Sequence, residues 1–233
     1  MRQVVVGILS IFLASAQYQN VVLDSTGHRS KIYTSAWRKP DFSAFAWVQQ
    51  EGASIDLTGT LPVFSFLGNT GNGHERMFLT PLHAPPYTAI LGVTLTFPGT
   101  SATGVASLVL RNSVTDKGLF VLNEVWANQQ TIAAFHTPKI LSVQENDYQV
   151  SIFDNHLGVG SAGVSQQWCL KAQDDGTNLS LWSSNDGCVN WEKEYQEASG
   201  SYSTFDQVGI AGYTYDTSAH PGFVLSLWRW SLQ

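Results

Sequence analysis

Glu192 and Glu194, separated by one residue, are the first pair in this chain able to do acid–base chemistry together. On a strand they share a face. Carboxylates about 5–5.5 Å apart serve retaining glycoside hydrolysis, and about 6.5–9.5 Å apart the inverting kind. Strands built for that work carry a third acid two residues on, and here Gln196 stands in its place. A solvated, charged strand face explains the pair more simply, so no catalytic residue is expected. Metal chemistry fares no better. The six histidines show no H-x-H or H-x3-H pairing, and neither cysteine has a metal-ligating neighbour. Asp174-Asp175-Gly176-Thr177-Asn178 carries oxygens that suit calcium, but it reads better as a hairpin turn. The stretch 158–163, GVGSAG, has the letters of a serine nucleophile elbow without its spacing, and reads as a loop. No glycine-rich loop ends in GK[ST]. No metal and no cofactor is expected.

Sugar binding asks for less: an aromatic platform beside a few amide or carboxylate groups. Two stretches have that composition, both at strand ends. One holds Trp126 and Asn128 with Gln129 and Gln130; the other holds Tyr213, Tyr215 and Asp216, with His220 a few residues on. Each also reads as a loop that packs its own aromatic.

The elements that would position these groups follow from composition and period. Twelve basic residues face eighteen acidic ones, a net charge of −6, which argues against nucleic acid as a partner. Charged residues are only 13% of the chain while 43% are hydrophobic, so a polar but uncharged surface covers a real core. Met1–Gln17 has one positive charge, an apolar run from Val4 to Leu13 and a small-residue end at Ala14-Ser15-Ala16. That is the pattern of a secretory signal, and too short for a membrane span. Its β-branched content suits a strand equally. The preferred reading is therefore a retained apolar arm over residues 1–16, with Val4, Val5, Val6, Ile8, Leu9, Ile11, Phe12 and Leu13 docking it against a partner chain. Residues 17–40 read as an extended connector.

From Asp41 to Gln233 the chain is strands and turns. After Pro85-Pro86, Tyr87, Ala89, Leu91, Val93, Leu95 and Phe97 alternate with a mostly Thr/Gly set, the pattern of a half-buried strand. Gly104–Arg111 and Leu119–Trp126 flank SVTDKG and form a hairpin apolar on both faces. A meander follows from Gln166 to Tyr195, then a strand through Val208, Ile210 and Gly212, and a last one from Phe223. Ten or so strands in one domain make an all-β, two-sheet antiparallel sandwich or a barrel. The same counting tests the cysteines. If Gly176 centres the first meander turn and Asn185-Asp186 the second, Cys169 and Cys188 lie two strands apart, about 9.5 Å at ~4.8 Å per strand. A disulfide needs Cα atoms within about 7 Å, so two free thiols are expected, which leans away from an oxidising route.

The order DFSAFAWVQQEGASI, HERMFLTPLHAPPYTAILGVTL, GVASLVLRNSVTDKGLFVL, LKAQDDGTNLSLWSSNDGCVNWEKEY and FDQVGIAGY resembles a module of tailed-bacteriophage virion proteins. That module is the concanavalin-A-like jelly-roll sandwich of fibre, receptor-binding and decoration proteins, and the resemblance runs from Asp41 to about Trp230. It implies a non-enzymatic virion protein, a capsid decoration or short tail appendage held by its N-terminal arm. Its implied partners are other virion proteins, further copies of itself as a homo-oligomer such as a trimer, and a host-surface glycan. It carries over no catalytic residue. Trp47 and Tyr87 read as core anchors, and Trp191 as facing either inward with Lys193 and Tyr195 or outward. The alternative is a secreted, lectin-like carbohydrate-binding protein with a cleaved signal peptide.

Overall fold

A computed structural model describes residues 21–23, 29–31, 39–66, 75–96, 104–126, 129–140, 150–158, 167–213 and 223–233. The chain divides into two units, Met1–Trp37 and Arg38–Gln233. In the first, β1 (Val21–Leu23) and β2 (Arg29–Lys31) pair antiparallel. The apolar arm, residues 1–16, lies outside the described residues.

The second unit is two seven-stranded antiparallel sheets. The front sheet runs β11 (Val150–Gly158), β10 (Gln129–Thr137), β9 (Gly118–Trp126), β8 (Gly104–Arg111), β15 (Gln207–Tyr213), β6 (Arg76–Pro81) and β3 (Ala46–Val48). The back sheet runs β14 (Glu192–Ala198), β13 (Asn178–Ser184), β12 (Gln167–Asp174), β7 (Tyr87–Thr96), β16 (Phe223–Leu232), β5 (Val63–Phe66) and β4 (Ser54–Asp56). Among the described residues no α-helix occurs, and so no helix long and apolar enough to cross a membrane.

The alternation along β7 does what period two requires. Tyr87, Ala89, Leu91, Val93 and Leu95 are all buried and face the front sheet, while Thr88, Ile90 and Thr94 are half-buried on the outer side. Strand β8 is buried at every position, because its outer side is covered as well. Val109 there joins Met77, Leu79, Phe120, Ala211 and Ile140 in a second apolar cluster. At the β3 side an aromatic group closes the core: Phe45 stacks on Phe78 at 5.1 Å, and Trp47 tilts against Phe78 at 4.9 Å. Trp47 is thus a half-buried anchor and Tyr87 a fully buried one.

Gly92 has a specific job. A Cβ there would sit 2.8 Å from Arg229 Cβ and 3.0 Å from the Trp228 ring, so glycine lets Trp228 lie on the outer surface of the back sheet. The register of β16 shifts between Leu227 and Arg229. That shift puts Trp228 outside with the cysteines, while Trp230 packs on the core side.

The cysteines overturn the expectation of free thiols. Cys169 and Cys188 form a disulfide with Cα atoms 5.4 Å apart. Cys169 does sit on β12, opposite Ser184, but Cys188 is on no strand. Strand β13 ends at Ser184 and β14 begins only at Glu192, so residues 185–191 form a broad bend instead of a tight turn. Within it Cys188 takes a left-handed φ of 65° and Gly187 one of 81°. The chain folds back over the outer face of the sheet, where the disulfide packs with Trp228, Trp191, Leu61 and Ile90.

Candidate functional site

Two of the sequence-predicted sugar residues fall on described strands, at one end of the front sheet. Trp126 closes β9 and Tyr213 closes β15; Tyr213 pairs with Val105 and Val125 with Gly104, so the two share an end. Their side chains, and all of Asn128, Tyr215, Asp216 and His220, lie outside the described residues. So does all of the GVGSAG stretch beyond Gly158.

The glutamate pair is described, and the strand does not present it as a regular face. Trp182 pairs with Lys193 and Leu181 with Tyr195, so Glu194 is the extra residue of a β-bulge. The Ser183 hydroxyl donates to Glu194 Oε1, while Glu192 is exposed. The acidic turn is likewise used by its own backbone. Asp174 Oδ1 accepts from Gly176 N at 2.9 Å, and Asp175 Oδ1 accepts from Thr177 N at 2.8 Å and Asn178 N at 2.7 Å. Among the described residues no three His, Cys, Asp or Glu side chains gather to hold a metal.

The opposite end of the sandwich holds a cleft of about 410 Å³, inside the range of about 300–1,000 Å³ usual for small-molecule sites. Four segments wall it: the approach to β7 from Leu82, the β8–β9 turn at Asn112–Val114, the end of β12 at Asp174, and the stretch Ser199–Asp206. Side chains of both sheets meet there. Tyr87 and Asp174 are directly paired across β7 and β12, which sets their side chains on the same face. Asp174 is 4% exposed, and its Oδ2 accepts from Ser199 Oγ at 2.8 Å. Each of its oxygens has one lone pair left.

Tyr87 is the informative residue. The residue is 3% exposed and lines the cleft, and its hydroxyl makes no hydrogen bond among the described residues. Burial, reinforced by the charges of Asp174 and Glu197, holds its phenol far above the usual range, so it remains a protonated donor. Loop-to-loop bonds fix the opposite wall. Asn112 Nδ2 donates to Thr204 O at 2.6 Å, Ser113 N to Asp206 Oδ1 at 2.7 Å, and Leu82 N to Asp206 O at 2.8 Å. Phe205 and the 90%-exposed Val114 supply apolar surface at the rim. A phenol donor, two carboxylates, serine hydroxyls and a small apolar edge can satisfy a polyhydroxylated molecule without cleaving it.

Sequence reasoning missed this cleft, because Tyr87 and Asp174 each had a sufficient structural explanation. The available signal was their coincidence: an acid ending one strand and a tyrosine opening the neighbouring one.

No protein-family model and no curated protein sequence matches the chain. Solved structures do resemble it. A functionally unknown protein from Saccharomyces cerevisiae matches with a TM-score of 0.54 at 13% identity, over 83% of this chain and 98% of that one. A legume lectin-like domain from Entamoeba histolytica matches with a TM-score of 0.52 at 8% identity, over 82% and 89%. The VIP36 exoplasmic/lumenal domain, solved with Ca2+ and Man3GlcNAc bound, matches with a TM-score of 0.52 at 10% identity, over 82% and 84%. The fold is therefore a lectin-like, concanavalin-A-like β-sandwich, as the sequence resemblance implied. The virion placement implied with it draws nothing from these likenesses.

Proposed function

We propose that this chain is a non-enzymatic, lectin-like carbohydrate-binding protein that is exported, with residues 1–16 serving as its signal. The observation that carries the reading is the Tyr87 hydroxyl, which has no hydrogen-bond partner among the described residues, beside Asp174 and Ser199 in a cleft of small-ligand size. A ligand hydroxyl on that phenol would add a hydrogen bond in a partly desolvated cleft. Two further findings support it. The fold is shared with a domain solved with a mannose-containing glycan bound. The disulfide suits an oxidising compartment and reverses the inference drawn from free thiols. The far-end loops, with Trp126, Asn128, Tyr213, Tyr215, Asp216 and His220, are proposed as a second sugar-contacting surface.

A glycan array probed with the protein presented multivalently tests the reading, since single-site affinity for a sugar is weak and avidity amplifies it. The expected result is a defined set of bound glycans. Tyr87→Phe should weaken that binding roughly three- to tenfold, the worth of one hydrogen bond of about 0.5–1.5 kcal/mol. Loss on Tyr215→Ala with retention on Tyr87→Phe would move the principal site to the far end. An empty array would overturn the function.

A further inference from the structure

The charge of the cleft goes further than its shape. Its lining contains two carboxylates, Asp174 and Asp206, and no lysine, arginine or histidine. Glu197 also acts on Tyr87, but from outside the lining and paired with His136 Nε2 at 3.3 Å, so the cleft's own charge is that of the two aspartates. The cations nearby are engaged elsewhere. Arg111 Nη2 lies 3.0 Å from Asp116 Oδ1, and its Nη1 donates to Gln207 Oε1 at 2.9 Å. Lys117 Nζ donates to Tyr202 O at 3.2 Å and sits over the Tyr202 ring. His83, exposed and bonded through Nδ1 to Ala84 O, meets only the edge of the Tyr87 ring, at 6.3 Å. A ligand entering the cleft therefore meets uncompensated negative charge, behind walls that exclude part of the solvent.

We infer that the cleft selects sugars bearing a free amine over their N-acetylated counterparts, and excludes uronic acids. The inference rests on the sugar-binding reading above and names the ligand class that this site takes. The geometry gives each group a task. The Tyr87 phenol donates to a ring or hydroxyl oxygen, Asp174 accepts from a hydroxyl through its remaining lone pairs, and the more exposed Asp206 at the rim meets the ammonium. Replacing that ammonium by an acetamide removes the charge; replacing it by a carboxylate sets like charges against each other.

Chemical-shift titration of the full chain with six sugars tests this: glucosamine, galactosamine, their N-acetyl forms, glucuronate and galacturonate. The pH should be about 6.5, where an amine of the α-amino type is protonated. The amines are expected to bind at least fivefold more tightly than the N-acetyl sugars at low salt, and the uronates not at all. That ratio should shrink as salt rises, because partly exposed charges are screened. It should also shrink in Asp206→Asn. If the N-acetyl sugars bind as tightly as the amines, or a uronate binds equally well, the inference falls while the sugar-binding reading stands. If none of the six perturbs the amides of the cleft segments, the inference falls, and the glycan array alone decides whether the protein binds sugar elsewhere. The salt dependence is read on the unaltered protein, so the outcome does not depend on the variant folding.

Discussion

Two neighbouring turns of the back sheet carry nearly the same letters and behave differently. The β12–β13 turn, Asp174-Asp175-Gly176-Thr177-Asn178, closes at once. Its carboxylates take up its own amides, Gly176 adopts the φ of 87° that the turn needs, and β13 begins at Asn178. The second connection also holds an Asp-Gly pair, Asp186-Gly187, with Gly187 at a φ of 81°. Yet it runs on to Trp191. Asp186 accepts from Ser184 Oγ at 2.7 Å, Val189 N at 3.1 Å and Asn190 Nδ2 at 2.6 Å, and the disulfide draws the loop down onto the sheet. One turn is set by local side-chain-to-backbone bonds. The other combines such bonds with a tertiary crosslink, and only the first kind is determined by its own sequence window.

The sharpest way to break this contrast is to remove the crosslink. A Cys169→Ser/Cys188→Ser variant should lose about 3 kcal/mol, the chain-entropy value for a loop near the observed separation of 19 residues. In a domain of this size that is a fall in melting temperature of about 6–12 °C, measured by calorimetry. Sugar binding should persist, since the cleft lies at the other turn. An unchanged melting point would mean that Asp186 and its donors hold the second loop unaided. The local turn should respond to a smaller change. Gly176→Ala meets no atom within 4 Å, so its cost is the left-handed backbone alone, about 1–2 kcal/mol by chemical denaturation.

The same contrast explains what was legible. The inward residues of β7, the all-buried β8 and the first meander turn follow from alternation and turn chemistry, and the sandwich follows from them. The disulfide did not, because counting residues across a turn assumes that the turn is tight. Trp191 was left open between two faces for a related reason. It precedes β14 and packs with Trp228 in the loop cluster, where Lys171 Nζ lies 4.4 Å from its ring and 4.3 Å from that of Trp182. The cleft was hidden differently. Tyr87 as a core anchor is correct for its ring, and nothing in the sequence shows where its hydroxyl points. Side-chain direction at a strand end is set by the neighbouring strand and turn, which are tertiary context.

The smallest expected effect sharpens the comparison most finely, because both turns rest on an aspartate held below its usual range. For Asp175 the cause is the amides of Asn178 and Thr177. For Asp186 partial burial pushes the carboxyl up, but the donors from Ser184, Asn190 and Val189 outweigh it. A carboxylate whose folded pKa is depressed contributes stability that is fully present above its unfolded value, here 3.8, and is lost as pH falls through the lower folded value. Acidification should therefore weaken both turns only below about pH 4. NMR titration of the carboxyl carbons should show both midpoints below the reference, and hydrogen exchange should show each loop loosening at its own midpoint. In the disulfide-bonded protein the amides of Val189 and Asn190 should keep part of their protection after Asp186 is protonated, since the crosslink still holds the loop. Those of Thr177 and Asn178 should lose theirs together with the charge on Asp175. If all four amides open at one pH with the disulfide intact, the crosslink adds nothing to the second loop beyond what the aspartate gives, and the two turns are the same device after all.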